Sequence, residues 1–326
     1  MSQMVSIIMP VKDAALFLVD CLDSILAQTN DNWELIAVDD HSSDESFEIL
    51  KAYSKKDHRI IVKSNKGVGI VNALSLAFNN SSGEFIHRMD ADDIMPAKKL
   101  EVLLGLLDGQ KKAIATGNVE YFSNDNVSDG YLSYENWINN IQDYRAEVYR
   151  ECTIGSPNWI VQRSCFDDDI SISELNYPED YDLVLKWHQL GYSIKKSKSI
   201  THLWREHPKR TSRNSDIYQQ ESFFRLKTKH FLDNEISGKE GIQLIGAGVK
   251  GKLLAKILNE QNVHFDWFDV NIGRVQSLVQ INSMAELKPN VKTILTAWPK
   301  DKYEKEKMTS FINSVGLEKG KTYWLF

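Results

Sequence analysis

The stretch GEFIHRMDADDIM, residues 83–95, decides the fold. Its first half, from Phe85 to Met89, is short and rich in apolar residues, which is typical of a buried strand. Three carboxylates follow within four residues, Asp90, Asp92 and Asp93. Acids this close repel one another unless a positive charge lies between them. Two interpretations are open: a solvated turn that caps the next helix, or carboxylates that hold a divalent cation together with substrate phosphates.

Composition restricts the class of protein. The 326 residues suffice for two domains, and 42% hydrophobic with 26% charged residues is typical of a globular protein. The net charge of −6 argues against a nucleic-acid binder, whose phosphate contacts need a basic face. Cys21, Cys152 and Cys165 are widely spaced and odd in number, so neither a disulfide framework nor a zinc site is indicated. We therefore expect no nucleic-acid partner.

The cysteine spacing and the distribution of apolar residues also indicate where in the cell the protein is found. Widely spaced cysteines without an obvious pairing fit a reducing compartment. The N-terminus has no basic-then-apolar signal peptide, and no apolar run approaches the ~18 residues of a membrane span. We expect a cytoplasmic protein whose membrane contact, at the inner face, is at most peripheral.

Three strand–helix units precede residues 83–95. Each has a short apolar run followed by apolar residues at helical spacing, and the runs are Val5–Met9, Trp33–Val38 and Ile60–Val62. With residues 83–95 as the fourth strand, this rhythm predicts a doubly wound α/β sheet that binds ligands at the carboxyl ends of its strands. Four candidate ligand-binding residues fall at such ends: Pro10, Asp40, Gly67 and Asp90. The acids would then line a ligand crevice.

Four blocks in order resemble the glycosyltransferases of family 2, which have the A-type (GT-A) fold with a mixed sheet. The blocks are VSIIMPVKDAALFLVDCLDSILAQT (5–29), ELIAVDDHSSDES (34–46), NKGVGIVNALSLA (65–77) and GEFIHRMDADD (83–93). Weaker similarity continues to about residue 213. The resemblance implies an inverting transfer of a sugar from a nucleoside diphosphate, usually UDP, to an acceptor hydroxyl. It also implies a divalent cation, Mn²⁺ or Mg²⁺, on the diphosphate.

The resemblance assigns the acids that follow the fourth strand. Asp92, the last residue of the Asp90-Ala91-Asp92 motif, would bind the metal directly, and Asp90 would lie beside the ribose or a water on the metal. The physical reading agrees, because the leaving diphosphate gains negative charge that a cation absorbs as a Lewis acid. Asp93 is then free to cap the following helix.

Further roles concern the nucleotide. Asp40 matches the acid that accepts a hydrogen bond from the base, uracil N3–H for a UDP donor. Its local alternative is a cap for the next helix, a role we assign to Asp44 or Ser42 instead. Three other donor-binding residues match the family's blocks, Pro10 and Gly67 through close backbone approach and Asn72 through its side chain. The chain departs from the family where Val71 replaces a common arginine and Lys12-Asp13 replaces a frequent Tyr-Asn; Lys66 or Arg88 are candidates for the missing positive charge.

Glu179-Asp180 opens a second informative block. Acids at the start of an amphipathic helix ordinarily complement the helix dipole. The pair also resembles the family's Glu-Asp signature, which carries the general base. An inverting transfer needs such a base, because the acceptor hydroxyl loses its proton as it attacks. With the upstream blocks in place, we interpret Asp180 as that catalytic base.

Basic residues dominate Ser193 to Arg213, where Glu206 is the one acid. A charge run of this kind is usually a solvated face. The segment LWREH, residues 203–207, resembles a family segment in which histidine meets metal or diphosphate, so His207 is a candidate metal ligand ahead of His202. The basic surface is also a candidate for contact with anionic lipid.

After a linker at residues 234–239 the strand–helix rhythm restarts. GAGVKG, residues 246–251, fits G-x-G-x-x-G between a strand and a helix, and Asp269 supplies the distal acid of a dinucleotide fingerprint. Gly246, Gly248, Gly251 and Asp269 therefore form a candidate second nucleotide site. Only one further clear strand follows, so a structural or oligomerising role is the alternative. We divide the chain into a GT-A catalytic domain, 1–232, and a small Rossmann-like domain, 240–326.

The favoured function is a metal-dependent inverting glycosyltransferase that uses a UDP-sugar and a glycan or lipid-linked acceptor. Cell-surface polysaccharide, lipopolysaccharide or capsule, is the expected product class. The main alternative is a nucleotide-binding oxidoreductase or sensor acting through the C-terminal glycines. A nucleotidyltransferase is disfavoured because no Gly- and Lys/Arg-rich loop follows Met9. The sugar, the linkage and the oligomeric state, a homo-oligomer included, stay open.

Overall fold

The computed structural model forms two compact units. It describes residues 3–210, 218–238, 241–270, 280–299 and 301–326. The first unit contains residues 1–141 and 154–214, and the second contains 142–153 and 215–326.

The first unit is built on a seven-stranded sheet. Its strands are β1 (Val5–Val11), β2 (Trp33–Asp39), β3 (Ile60–Ser64), β4 (Phe85–Arg88), β5 (Ala113–Phe122), β6 (Trp159–Gln162) and β7 (Ser193–Arg205). They lie in the order β3-β2-β1-β4-β6-β5-β7. β6 runs antiparallel to β4 and β5, and the other pairs are parallel. This mixed, mainly parallel sheet confirms the predicted fold class.

Helices cover both faces of this sheet, so its central strands are buried. They are α1 (Ala15–Leu26), α2 (Ser46–Lys56), α3 (Ile70–Asn79), α4 (Lys99–Gly105), α5 (Asp129–Asn139) and α7 (Glu179–Gln189), with short helical turns at Cys165–Asp169 and Ile172–Glu174. Every residue of β2 is buried, as expected for a strand covered on both faces. Among the described helices, none has the length and apolar character that crossing a bilayer requires.

Two details differ from the sequence-based expectations. Pro10 lies within β1, one residue before its end, rather than stopping the strand at Met9. The basic run from Ser193 is not simply a solvated face, because residues 193–205 form β7 beside β5. The first half of β7 carries the lysines and is partly buried at residues 194–197 and exposed at 198–200, whereas Thr201, His202, Trp204 and Arg205 are buried. Arg213 lies outside the described residues.

The second unit has a five-stranded parallel sheet. Its strands are β8 (Ile242–Ile245), β9 (Phe265–Asp269), β10 (Ile281–Ser283), β11 (Thr293–Leu295) and β12 (Tyr323–Leu325). They lie in the order β10-β9-β8-β11-β12, which is the 3-2-1-4-5 order of a doubly wound sheet. Its helices are α6 (Tyr144–Glu147), α8 (Gln220–Glu235), α9 (Val249–Glu260) and α10 (Lys302–Val315), with one turn at Met284–Glu286. β10 and β12 have three residues each, too few for a periodic pattern to show.

The two units divide the chain earlier than the predicted limits, 1–232 and 240–326. Those limits assign α8 to the first domain. In the structure the ring of Phe231, on α8, meets Trp324 edge to face at 5.3 Å and Phe326 at 5.5 Å. Tyr149 stacks on Phe326 as well. These aromatic contacts tie α8 and residues 142–153 to the C-terminal strand.

Candidate active site

Asp40 lies immediately after β2 and organises the loop that follows β3. Its carboxylate is buried and accepts hydrogen bonds from Asn65 Nδ2 at 2.6 Å and from the Gly69 N–H at 2.9 Å. Gly69 has a φ of +95°, a conformation that side chains rarely adopt. Asp40 therefore fixes the β3–α3 loop at the carboxyl edge of the sheet. The N-cap of α2 is Glu45, which makes no side-chain capping bond, so the cap predicted at Asp44 or Ser42 is not found, although Asp44 Oδ1 accepts the Ser46 N–H at 3.0 Å.

Gly67 and Asn72 lie on this same loop and helix. A Cβ on Gly67 would come within 3.0 Å of Asn72 Cγ, so the backbone passes closely here. The exposed Asn72 side chain donates to the Val68 carbonyl at 2.8 Å, and His41 Nε2 lies 2.8 Å from the Gly67 carbonyl. The Asn72 side chain thus stabilises the conformation of the loop. Pro10, on β1, pairs in register with Val38 on the neighbouring strand β2.

Arg88, at the end of β4, lies between two carboxylates. Its Nε donates to Asp90 Oδ1 at 2.9 Å, and an Nη donates to Glu179 Oε1 at 2.9 Å. Arg88 and Glu179 are buried. Burial raises the pKa of Asp90 even though the Arg88 charge lowers it. The guanidinium thus joins the acids after β4 to the start of α7. Sequence reasoning did not find the Glu179 contact, although Glu179 is the first residue of the Glu-Asp pair.

Asp92 and His207 form a second pair at the same edge. His207 Nε2 lies 2.9 Å from Asp92 Oδ2, and the ring of Phe17 packs on the imidazole at 4.3 Å. Burial raises the pKa of Asp92, but the hydrogen bond to His207 and the Arg210 charge outweigh it, and the pKa is lowered overall. Asp92 is therefore an anion at neutral pH. The buried Ala91 separates it from Asp90.

The geometry of Asp92 and His207 fits a divalent cation. Two adjacent ligands of an octahedral Mg²⁺-type ion, each about 2.1 Å from it, lie about 3 Å apart. The 2.9 Å between Asp92 Oδ2 and His207 Nε2 matches that separation. Within the described ranges no group of three or more His, Cys, Asp or Glu side chains could hold a metal. The pair therefore suits an ion that completes its shell with phosphate oxygens and water.

Asp93 is not the helix cap that the sequence suggested. α4 begins only at Lys99, and its N-cap, Lys98, makes no side-chain capping bond. The Asp93 carboxylate instead accepts the Arg205 N–H at 2.8 Å and contacts His202 Nε2 at 2.9 Å. His202 is thus a partner of Asp93, while His207 is the partner of Asp92.

Asp180 lies in the first turn of α7 and has the chemistry of a base. Burial and the neighbouring Glu179 raise the pKa of Asp180 to about 7, against the lowering by Arg88. Its Oδ1 accepts the Tyr181 N–H at 2.8 Å. A carboxyl with a pKa near 7 is partly deprotonated at neutral pH and takes up a proton readily.

The glycine loop of the second unit has the backbone of a nucleotide-binding fingerprint. Gly246 has a φ of +103°, and a Cβ on Gly251 would lie 1.9 Å from the Gly246 carbonyl oxygen. Gly248 faces open space. Asp269 Oδ2, however, accepts the Ala247 N–H at 2.6 Å, so the acid predicted for a ribose is already bonded to the loop itself.

Comparison with known proteins decides the family. The model of glycosyl transferase family 2 matches residues 6–169, half of the chain, and these residues include nearly all of β1, the strands β2 to β4, and Asp40, Asp90 and Asp92. The chain belongs to glycosyltransferase family 2. This family 2 chain is 36% identical over 136 residues to the glycosyltransferase GlyG of Streptococcus pneumoniae, which is 41% of this chain and 44% of GlyG. It thus spans under half of GlyG.

Two further relatives and one solved structure are also similar to this chain. An uncharacterised glycosyltransferase of Haemophilus influenzae is 24% identical over 324 residues, 89% of this chain and 95% of that protein. Escherichia coli WfgD, described as a UDP-Glc:alpha-D-GlcNAc-diphosphoundecaprenol beta-1,3-glucosyltransferase, is 31% identical over 163 residues, 49% of this chain and 61% of WfgD. S. aureus TarS 1–349 in complex with UDP-GlcNAc has a similar fold, with a TM-score of 0.56 at 16% identity over 79% of this chain and 72% of TarS.

Proposed function

We propose that this family 2 member is a metal-dependent inverting glycosyltransferase that moves a hexosyl group from a UDP-sugar to an acceptor hydroxyl. The contact of Arg88 with both Asp90 and Glu179 carries the proposal. This contact joins the acids after β4 to the first residue of α7, and it supports a single site that contains the neighbouring candidate base Asp180. A group that receives the nucleotide and a group that receives the acceptor proton are both needed for such a transfer.

Recognition of the donor is assigned to the loop that Asp40 holds. The Asp40 carboxylate accepts two hydrogen bonds, from Asn65 Nδ2 and from the Gly69 N–H, and a carboxylate can accept about four. A uracil N3–H can therefore still be accepted. WfgD is described as using UDP-Glc, which supports UDP as the nucleotide.

The diphosphate is assigned to the Asp92–His207 edge. A Mn²⁺ or Mg²⁺ ion held there would act as a Lewis acid for the leaving phosphate. The lowered pKa of Asp92 keeps its carboxylate charged and ready to bind a cation. The Arg88 guanidinium compensates the charge of the Asp90 carboxylate, because its Nε lies 2.9 Å from Asp90 Oδ1.

Asp180 accepts the proton of the attacking hydroxyl. Its raised pKa, about 7, leaves a usable fraction of carboxylate at neutral pH and makes that carboxylate a stronger base than an exposed aspartate. Glu179 is held by Arg88 and is not the base in this assignment.

The acceptor class is a glycan or a lipid-linked sugar of the cell surface, in the cytoplasm or at the inner face of a membrane. WfgD is described as acting on a diphosphoundecaprenol-linked sugar, which supports a lipid-linked acceptor. The exposed Lys198 and the partly exposed Lys195 on β7 supply a small basic surface for anionic lipid.

An oxidoreductase or sensor that acts through the second unit is the alternative. The backbone around Gly246 and Gly251 favours it, but Asp269 is bonded to the Ala247 N–H. We therefore assign the chemistry to the first unit. Thermal unfolding separates the two: a ligand at 100 times its Kd adds about 2.7 kcal/mol of stability. We expect a rise with UDP plus Mn²⁺; a rise with NAD(H) alone would favour the alternative.

The decisive test of function is a donor-hydrolysis and transfer screen. UDP-, GDP- and dTDP-sugars are each incubated with Mn²⁺, Mg²⁺ or EDTA, and nucleoside diphosphate release is measured. We expect release from a UDP-sugar with metal and none above background with EDTA, and an inverted anomeric centre by NMR of the transfer product. Equal release with EDTA, or release only from GDP- or dTDP-sugars, contradicts the proposal.

A further inference from the structure

Three buried polar side chains form a hydrogen-bonded series that ends at Asp93, the residue after Asp92. Its members are Lys99 at the start of α4, His202 on β7 and Asp93 after β4, and all three are at most 2% exposed. Lys99 Nζ lies 2.6 Å from the Pro157 carbonyl oxygen and 3.1 Å from His202 Nδ1. His202 Nε2 lies 2.9 Å from Asp93 Oδ2. Burying three such groups is costly unless each is hydrogen-bonded.

The direction of these hydrogen bonds follows from the chemistry of the groups. Burial lowers the pKa of Lys99 to about 7, so the ammonium form is populated at and below neutral pH, and in that form Lys99 can only donate, to the carbonyl of Pro157 and to His202 Nδ1. Burial lowers the pKa of His202 well below its usual value, so the imidazole is neutral and carries one N–H. With Nδ1 accepting, that N–H is on Nε2 and donates to Asp93. Lys99 thereby selects the tautomer of His202 that can hold Asp93.

Asp93 in turn fastens the acidic loop to β7. Its second oxygen accepts the Arg205 N–H at 2.8 Å. Ile94 and Leu203 exchange backbone hydrogen bonds at 3.1 and 3.0 Å in the same region. Arg205 Nε also donates to the Asp92 carbonyl at 2.8 Å. The segment that carries Asp92 and the strand end that leads to His207 are thus joined at several points.

We propose that Lys99, His202 and Asp93 are positioning residues that set the spacing of Asp92 and His207 and thereby the affinity for the divalent cation. This inference rests on the proposed function. The two candidate ligands come from segments far apart in sequence, so their 2.9 Å separation depends on what fastens those segments together. Groups that orient metal ligands in this way typically change metal affinity 10–100-fold when they are mutated.

The first test compares two neighbouring lysines. Lys99→Met keeps the apolar stem and removes the donor to His202, whereas Lys98→Met changes the exposed lysine one residue earlier. Mn²⁺ binding is measured from the EPR signal of free Mn²⁺, with and without UDP. We expect the Kd for Mn²⁺ to rise about tenfold or more in Lys99→Met and to stay within about twofold in Lys98→Met. UDP affinity without metal should change little in either variant.

A second pair of variants keeps the test independent of Lys99. The amide of His202→Gln reaches far enough to accept from Lys99 and donate to Asp93, whereas His202→Asn is one methylene shorter. We expect a Kd for Mn²⁺ within about threefold of the wild type for His202→Gln and about tenfold weaker for His202→Asn. A cooperative thermal unfolding transition, measured for each variant, establishes that the variant is folded.

The outcomes separate this inference from the proposed function. Wild-type protein that fails to bind Mn²⁺ even with UDP overturns both the metal part of the function and the positioning chain. Wild-type binding with unchanged Kd in Lys99→Met and His202→Asn overturns the positioning chain alone. Parallel losses of Mn²⁺ affinity and of metal-free UDP affinity indicate general structural damage and also count against it.

Discussion

Asp40 and Asp269 occupy equivalent positions in the two units, since each comes at or just after the end of the second strand of its sheet. Asp40 accepts the Gly69 N–H at 2.9 Å, and Asp269 accepts the Ala247 N–H at 2.6 Å. Both carboxylates therefore hold a glycine-containing loop. The two loops follow different strands, however: the loop held by Asp40 follows β3, the third strand of its sheet in chain order, whereas the loop held by Asp269 follows β8, the first strand of its sheet.

The neighbouring strand ends make the difference. In the first unit β4 lies on the other side of β1 and is followed by Asp90 and Asp92. In the second unit the corresponding strand, β11, is followed by Thr296, Ala297 and Trp298. A glycine-containing loop held by a carboxylate is thus common to both sheets, whereas the acids proposed for metal binding and proton transfer lie in the first unit. We therefore expect unequal effects of aspartate-to-asparagine substitutions in the two units.

The largest effect is expected for Asp92→Asn. Loss of a direct ligand removes Lewis-acid stabilisation worth several kcal/mol, which corresponds to about 10³-fold or more in transfer rate. The rate is measured with saturating UDP-sugar and Mn²⁺. Asp269→Asn, the substitution in the other unit, should leave the rate within about twofold. Similar losses from both substitutions would remove the distinction between the units.

Asp180→Asn comes next. The variant should fold and bind UDP normally but lose about 10²-fold or more in transfer rate, because the amide cannot accept the hydroxyl proton. Asp168→Asn changes an exposed acid of the same unit and should have no effect. Near-normal turnover by Asp180→Asn would show that another group is the base.

The pH dependence of kcat/KM tests the same residue without mutation. The carboxyl of Asp180 has a pKa raised to about 7, so its base form is depleted below that pH and accumulates above it. We expect kcat/KM to fall about tenfold per pH unit below pH 7 and to level off above it. A rate that stays flat down to the pKa of an ordinary aspartate, about 4, would contradict this.

The smallest effect concerns stability in the second unit. Asp269→Asn weakens the hydrogen bond to the Ala247 N–H, a loss of about 1 kcal/mol, which lowers the Tm of a domain of this size by about 4 °C. Differential scanning calorimetry measures it. An unchanged Tm together with lost UDP binding would assign a ligand to Asp269 instead of a structural role.

The placement of much of the candidate site could be predicted from the sequence because its residues follow predictable strands. Asp40, Asp90 and Asp92 each come just after an apolar run, and parallel strands bring such ends to one edge. The same logic found the strand–glycine loop–helix unit around Gly246.

What the sequence could not show are the contacts between distant buried charges. Glu179 meets Arg88 across 91 residues, and His202 meets Asp93 across 109. Such pairs have no local periodicity, and each member alone has an ordinary explanation. For that reason the sequence predicts a helix cap at Asp93, whereas the structure has a buried contact of Asp93 with His202. The sequence does not predict β7 as a strand, because its lysine-containing first half has no alternation of apolar and polar residues.

UDP binding tests most directly the central claim that the nucleotide binds the first unit. Calorimetric titration of UDP with Mn²⁺ is carried out on the wild type, Asp40→Asn and Asp269→Asn. The account predicts binding by the wild type, affinity about tenfold weaker for Asp40→Asn, about 1.4 kcal/mol, and unchanged affinity for Asp269→Asn. Loss of UDP binding in Asp269→Asn with normal binding in Asp40→Asn would contradict it.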